Sequence, residues 1–132
     1  MATPLLEIRN VSQSFPGAGG GNVEVLHDIN FEIRTHDVVA ILGPSGCGKS
    51  TLLRAIIGLE PPTSGQIFYR GEVQVGLNQS TALVFQNFAL FPWLTVQENV
   101  AVGLSHLSLT GFEREKRVRQ VIEAVGLAGS EE

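Results

Sequence analysis

The chain has 132 residues, 43% of them hydrophobic and 17% charged, with a formal net charge of −4 at pH 7. That balance excludes a disordered polymer and leaves room for one domain with its own core, while the acidic surplus excludes the electrostatic footprint of a nucleic-acid binder. No apolar run is long enough to span a bilayer, the first residues lack the charged start and apolar middle of a signal peptide, and the single Cys47 has no partner for an internal disulfide, which fits a reducing cytosol.

In chain order, Leu6-Glu7-Ile8-Arg9-Asn10-Val11 alternates with period two and predicts a half-exposed strand. Pro16-Gly17-Ala18-Gly19-Gly20-Gly21-Asn22 lacks the last glycine of a dinucleotide fingerprint and has no helix behind it, so it reads as a loop between two strands. Residues 23–33 supply the second strand, with Val23, Val25, Ile29, Phe31 and Ile33 on one alternating set. Thr35-His36-Asp37 turns the chain into Val38-Val39-Ala40-Ile41-Leu42, a wholly apolar, β-branched run of the kind that forms a buried parallel strand.

The next segment carries the chemistry. Gly43-Pro44-Ser45-Gly46-Cys47-Gly48-Lys49-Ser50 fits G-x-x-x-x-G-K-[ST], with Thr51 directly after it. Glycines let the backbone curl with few side chains in the way, and successive N–H groups then point inward as a nest for phosphate oxygens. A helix opening near Lys49 adds the positive end of its dipole. Lys49 is placed to reach terminal phosphates and the Ser50 hydroxyl to ligate Mg²⁺. Cys47 reads as a small residue accommodated in a tight loop. Leu52, Leu53, Ile56 and Ile57 recur at helical spacing, with Gly58 as the stop signal.

Gln66-Ile67-Phe68-Tyr69 and Ala82-Leu83-Val84-Phe85 read as two short strands, and residues 71–80 between them are ambiguous. Thr95-Val96-Gln97-Glu98 and Thr110-Gly111-Phe112-Glu113 are capping boxes that open two helices. The second of these has a Val118, Val121, Ile122, Val125 stripe and i, i+4 charge pairs Glu113–Arg117 and Glu115–Arg119. His27, His36 and His106 are far apart and show no metal-ligand spacing.

The phosphate loop, the segment Leu52-Leu53-Arg54-Ala55-Ile56-Ile57-Gly58-Leu59-Glu60, the tail Pro62-Thr63-Ser64-Gly65 and Val84-Phe85-Gln86-Asn87-Phe88-Ala89-Leu90-Phe91-Pro92 together resemble an ABC transporter ATP-binding subunit over nearly the whole chain. Phe-Pro-Trp-Leu-Thr-Val at residues 91–96 is similar to the subgroup that powers import of nitrate, sulfonates and taurine, a likeness resting largely on Trp93. The resemblance implies an α/β P-loop NTPase, an ABC-type nucleotide-binding domain with an N-terminal antiparallel β part, occupying residues 1–132 as a single partial domain. It implies ATP and Mg²⁺ as ligands, with Phe15 stacking on adenine, Gly43 through Thr51 around the phosphates, and Ser50 and Gln86 at the metal. Lys49 and Gln86 support catalysis. It further implies a head-to-tail dimer with a second ATP-binding subunit, a transmembrane permease meeting Phe88, Leu90, Phe91, Pro92 and Trp93, and a solute-binding protein acting indirectly. The location implied is peripheral, on the cytoplasmic face of the cell membrane.

The family's Leu-Ser-Gly-Gly-Gln signature, Asp-Glu strand, D-loop and switch histidine have no match in this sequence. The expectation is a chain incomplete at its C-terminal side, whose general base is missing and which alone turns over little or no ATP. The rival readings are a soluble ABC-type module and a non-hydrolysing nucleotide-binding module. His36 stands where the family usually has glycine, so a positive φ is expected to strain it. Without neighbours, residues 38–42 keep an open edge. The isolated 132-residue chain is therefore expected to be poorly soluble or partly molten. Scanning calorimetry checks this: a broad, weakly cooperative transition is expected, and a sharp melt of a purified monomer contradicts it.

Overall fold

The computed structural model describes residues 3–86 and 89–129. The chain divides into two compact units, Met1–Leu83 and Val84–Glu132.

The first unit is built on a hairpin. Strands β1 (Leu6–Pro16) and β2 (Asn22–Ile33) pair antiparallel, joined by the glycine-rich loop. Gly17 N–H donates to the Gly21 carbonyl at 2.7 Å and Gly20 N–H to that of Gly17 at 3.1 Å, which closes the turn. Strand β3 (Ser64–Tyr69) adds to the other side of β1, and the short β4 (Glu72–Val73) completes an antiparallel sheet in the order β2-β1-β3-β4.

Both hairpin strands are longer and less regular than strict alternation predicts. In β1 the buried residues are Leu6, Ile8, Val11 and Gln13, so an extra residue falls between Ile8 and Val11. Asn10 occupies it at φ 49°, and opposite it Asp28 stands at φ 44°. Asn and Asp are the residues that best tolerate this left-handed region outside glycine. Side chains tie the bulges together: Asn10 Nδ2 donates to Asp28 Oδ1 at 2.8 Å, Asn10 N–H to Asn30 Oδ1 at 2.7 Å and Asp28 N–H to Ser12 Oγ at 2.9 Å. The kink breaks the expected single alternating set of β2: Leu26 is buried, Ile29, Phe31 and Ile33 are half-buried, and Val23 is exposed.

Helix α1 (Lys49–Ile57) lies against this sheet, where Ala55 joins Leu6, Ile8, Val11 and Ile67 in one buried cluster. Fully burying such an aliphatic side chain stabilises by roughly 1.5–3 kcal/mol. The helix stops at Gly58, whose φ of 79° lets its N–H and that of Leu59 turn back onto the Ala55 and Arg54 carbonyls, both at 3.0 Å. A Cβ at Gly58 would collide with the Gly76 carbonyl.

Two expected strands are absent. Residues 38–42 form no strand, with Val38 and Leu42 98% and 90% exposed, and neither do residues 82–85. An apolar run becomes a strand only when neighbours complete its hydrogen-bond ladder, and none flanks these segments among the described residues. His36, in the turn before residue 38, has the expected positive φ, at 72°.

The second unit holds α2 (Val96–Val102) and α3 (Gly111–Ala124), which pack on each other. Both capping boxes form. Thr95 Oγ1 accepts from Glu98 N–H while Glu98 Oε2 accepts from Thr95 N–H, and Thr110 and Glu113 reciprocate in the same way. On α3, Val118 and Ile122 are buried but Val121 and Val125 are exposed, so the apolar stripe is narrower than expected. Of the two charge pairs only Arg119–Glu115 closes, at 3.1 Å, because the Glu113 carboxylate is engaged by Thr110.

That engagement is pH-sensitive. Hydrogen bonds from the Thr110 side chain and backbone hold the Glu113 carboxyl below its ordinary value. A lowered folded-state pKa contributes stability above the unfolded pKa, which is lost as pH falls through the folded one. Acid titration followed by circular dichroism is expected to show α3 losing helicity at and below the ordinary carboxylate range. Glu113→Gln, which still caps, should flatten that step, and Thr110→Ala should cost about 1 kcal/mol at neutral pH.

Candidate nucleotide site

The site is assembled where residue 42 passes into α1. Gly46 and Gly48 take φ values of 82° and 95°, which turn the loop back on itself. Gly48 is also the N-cap of α1, with no side chain capping the helix. It sits tightly on β2: a Cβ there would lie 3.0 Å from both Leu26 Cδ2 and Val25 Cγ1. At Gly43 a Cβ would meet Cys47 Sγ at 2.6 Å, whereas at Gly46 it would enter open space. Glycine is thus required by packing on the sheet side, and the opposite side of the loop is open.

The donors that this leaves over define the chemistry. Leu52 N–H bonds the Gly48 carbonyl at 2.9 Å, but the amides of Lys49, Ser50 and Thr51 find no acceptor among the described residues. An uncapped helix start with free amides is an anion site by construction. The Lys49 ammonium lies over the same loop, donating to the Gly43 carbonyl at 2.9 Å, the Pro44 carbonyl at 2.7 Å and Cys47 Sγ at 3.6 Å. Ser50 is exposed in the first turn, and its hydroxyl has no partner among the described residues. The residues present therefore fit a polyphosphate: free amides, one ammonium and one free hydroxyl meet in a loop that excludes side chains. Cys47 is an exposed thiol in the loop, in no disulfide.

Phe15 lies in the same unit. Gly48 packs against Leu26, Leu26 faces Gln13 across the hairpin, and Phe15 is two residues further along β1, opposite Val23. Its ring is half-buried at the strand end. Gln13, the buried polar residue there, is satisfied through its Oε1, which accepts from Thr63 N–H at 3.1 Å.

Gln86 belongs to the second unit and is an exposed bend residue. Phe88 lies outside the described residues. Leu90, Phe91 and Trp93 are all exposed, Trp93 by 75%, and the Phe91 and Trp93 rings touch at a centroid distance of 5.5 Å. Sequence reasoning missed Asn99. Its side chain makes four hydrogen bonds to the backbone of residues 91–95. The available signal was an amide one helical turn after a capping threonine.

Fold and loop together define a P-loop nucleotide-binding protein. Comparison with known proteins gives the family: the ABC transporter family profile matches residues 26–132, and the chain belongs to that family. It is 41% identical over 133 residues to an Fe(3+) ions import ATP-binding protein of Pasteurella multocida, covering 96% of this chain and 36% of that protein. It is 38% identical over 122 residues to a taurine import ATP-binding protein of Roseobacter denitrificans, covering 92% of this chain and 46% of that protein. It thus spans less than half the length of these curated relatives. Among solved structures, a dimeric ATP-binding cassette in a post-hydrolysis state bound to ADP and Pi superposes with a TM-score of 0.76 at 30% identity, covering 89% of this chain and 56% of that one. The fold is accordingly that of an ABC-type P-loop cassette with an antiparallel β part.

The geometry sets the expected effect of removing the ammonium. Lys49→Ala should lower affinity for a fluorescent ATP analogue by roughly 10- to 100-fold, the equivalent of losing charged hydrogen bonds worth about 1.5–3 kcal/mol. Equilibrium titration of both proteins at fixed salt checks this, and an unchanged affinity would remove Lys49 from the site.

Proposed function

We propose that this chain binds Mg-ATP at Gly43, Pro44, Ser45, Gly46, Cys47, Gly48, Lys49, Ser50 and Thr51, as the nucleotide-binding part of an ABC importer's ATP-binding subunit. The observation that carries the reading is the uncapped start of α1 with three free amides, preceded by a loop on whose Gly43 and Pro44 carbonyls the Lys49 ammonium rests. In this reading the amides and Lys49 hold the phosphates, Ser50 ligates the magnesium ion, and Phe15 offers its ring to adenine. Gln86 contacts the metal or the attacking water and relays nucleotide state. The magnesium ion neutralises charge on the phosphates, and this chain's own residues position them.

Import is supported by the relatives, whose names include import of iron(III), taurine and sn-glycerol 3-phosphate and transport of bicarbonate. These names span several solute chemistries. The narrower proposal, a small anion such as nitrate, a sulfonate or taurine, rests on the resemblance at residues 91–96. The partners proposed are a second ATP-binding subunit in a head-to-tail dimer and a membrane permease meeting the exposed Leu90, Phe91, Pro92 and Trp93. A solute-binding protein acts indirectly, and no nucleic acid is involved. No helix among the described residues is long and apolar enough to cross a membrane, and the proposed location is peripheral, on the cytoplasmic face.

The test is reconstitution of the full-length subunit with its co-purifying permease in proteoliposomes. ATP-dependent uptake is expected, strongest for a small anion and abolished by Lys49→Ala. A full-length subunit that binds Mg-ATP yet shows no turnover and retains no membrane partner would sink the importer reading and leave a nucleotide-binding module.

A further inference from the structure

The exposed aromatic segment at residues 89–95 has little backbone structure of its own. Between residues 89 and 95 the internal backbone bond is Leu94 N–H to the Phe91 carbonyl, at 3.0 Å. Apart from the Thr95–Glu98 capping box, its other hydrogen bonds among the described residues come from one side chain. Asn99 Oδ1 accepts from Phe91 N–H at 2.8 Å, and Asn99 Nδ2 donates to the Phe91 carbonyl at 3.1 Å. A single carboxamide therefore grips both backbone groups of Phe91, as a neighbouring strand would. The same Nδ2 reaches the Leu94 carbonyl at 3.0 Å and the Thr95 carbonyl at 2.9 Å. Asn99 is itself fixed, because its own N–H bonds the Thr95 carbonyl at 2.9 Å within a helix start locked by the Thr95–Glu98 capping box.

We infer that Asn99 is the positioning residue for the permease-contacting loop, setting the presentation of Phe91 and Trp93 rather than touching the partner itself. The inference rests on the reading of that loop as the permease contact. Only an amide serves the role: without charge it supplies an acceptor for one N–H and two N–H donors, one of them shared, that together span three carbonyls. Asp would keep the acceptor and aim a carboxylate at three carbonyl oxygens, and Ala would leave the Phe91 N–H and the Leu94 carbonyl without the partner they have here, while the Phe91 and Thr95 carbonyls keep only their backbone bonds. A loop held in its bound shape loses less freedom on docking, so releasing it weakens association even though no contact atom is removed.

A double-mutant cycle on the full-length subunit, titrated against its permease in nanodiscs, tests this. Asn99→Ala and Trp93→Ala should each weaken association about tenfold, and the double variant should be no weaker than the worse single one. Amide exchange at Phe91 should rise in Asn99→Ala. Multiplicative losses, a loss in Asn99→Ala alone, or unchanged exchange at Phe91 would each overturn the positioning role. A loss in Trp93→Ala alone also overturns it while leaving the docking reading intact. No loss in either single variant removes the docking reading, and the positioning role with it.

Discussion

Helix α1 starts on the Leu26 and Val25 side chains of β2 with no side chain of its own at the contact, and the candidate nucleotide site follows from that. Any Cβ at Gly48 would press on Leu26 and Val25, so only glycine lets the helix begin there. Because Gly48 has no side chain, nothing caps the helix, and the first amides stay free. The same glycine thus lets α1 sit close enough for Ala55 to enter the core with Leu6, Ile8, Val11 and Ile67, and exposes the donors that phosphate needs. Packing and binding impose one residue type at one position.

The two units differ in how they are held. The first is a sheet whose contacts are largely long-range pairings, reinforced at the double bulge by the amide and carboxylate lattice of Asn10, Asp28 and Asn30. The second relies on local devices: two reciprocal capping boxes, the small buried seam of Val118 and Ile122, and the Asn99 carboxamide. Local devices of this kind contribute on the order of 1 kcal/mol each.

That difference explains what was legible in the sequence. Thr95–Glu98 and Thr110–Glu113 could be read directly, since each partner lies three residues away and the geometry of one turn decides the outcome. The phosphate loop was legible for the same reason: the spacing of its glycines with Lys49 and Ser50 is a local requirement. The β1–β2 pairing was visible, but its bulges were not, because Asn10 and Asp28 are bonded to residues across the hairpin. Residues 38–42 and 82–85 carry the right composition for strands and still form none, because a strand is a property of its neighbours. Glu113 shows the limit of spacing rules: Arg117 is in register, but the carboxylate belongs to Thr110. Phe15, Gln86 and residues 90–93 were assigned roles by family likeness, and no local spacing rule in the sequence points to those roles.

The position of the Lys49 ammonium has a consequence of its own. A lysine side chain free in water samples many rotamers, and confining it costs about 2 kcal/mol of entropy. Here that freedom is already surrendered to the Gly43 and Pro44 carbonyls, so the cation waits in place. An arriving anion meets a side chain that need only trade acceptors. The loop thus resembles a spring catch held half-closed by its own frame: what distinguishes ligands is how well their oxygens outbid two backbone carbonyls, which favours densely charged groups over singly charged or neutral ones.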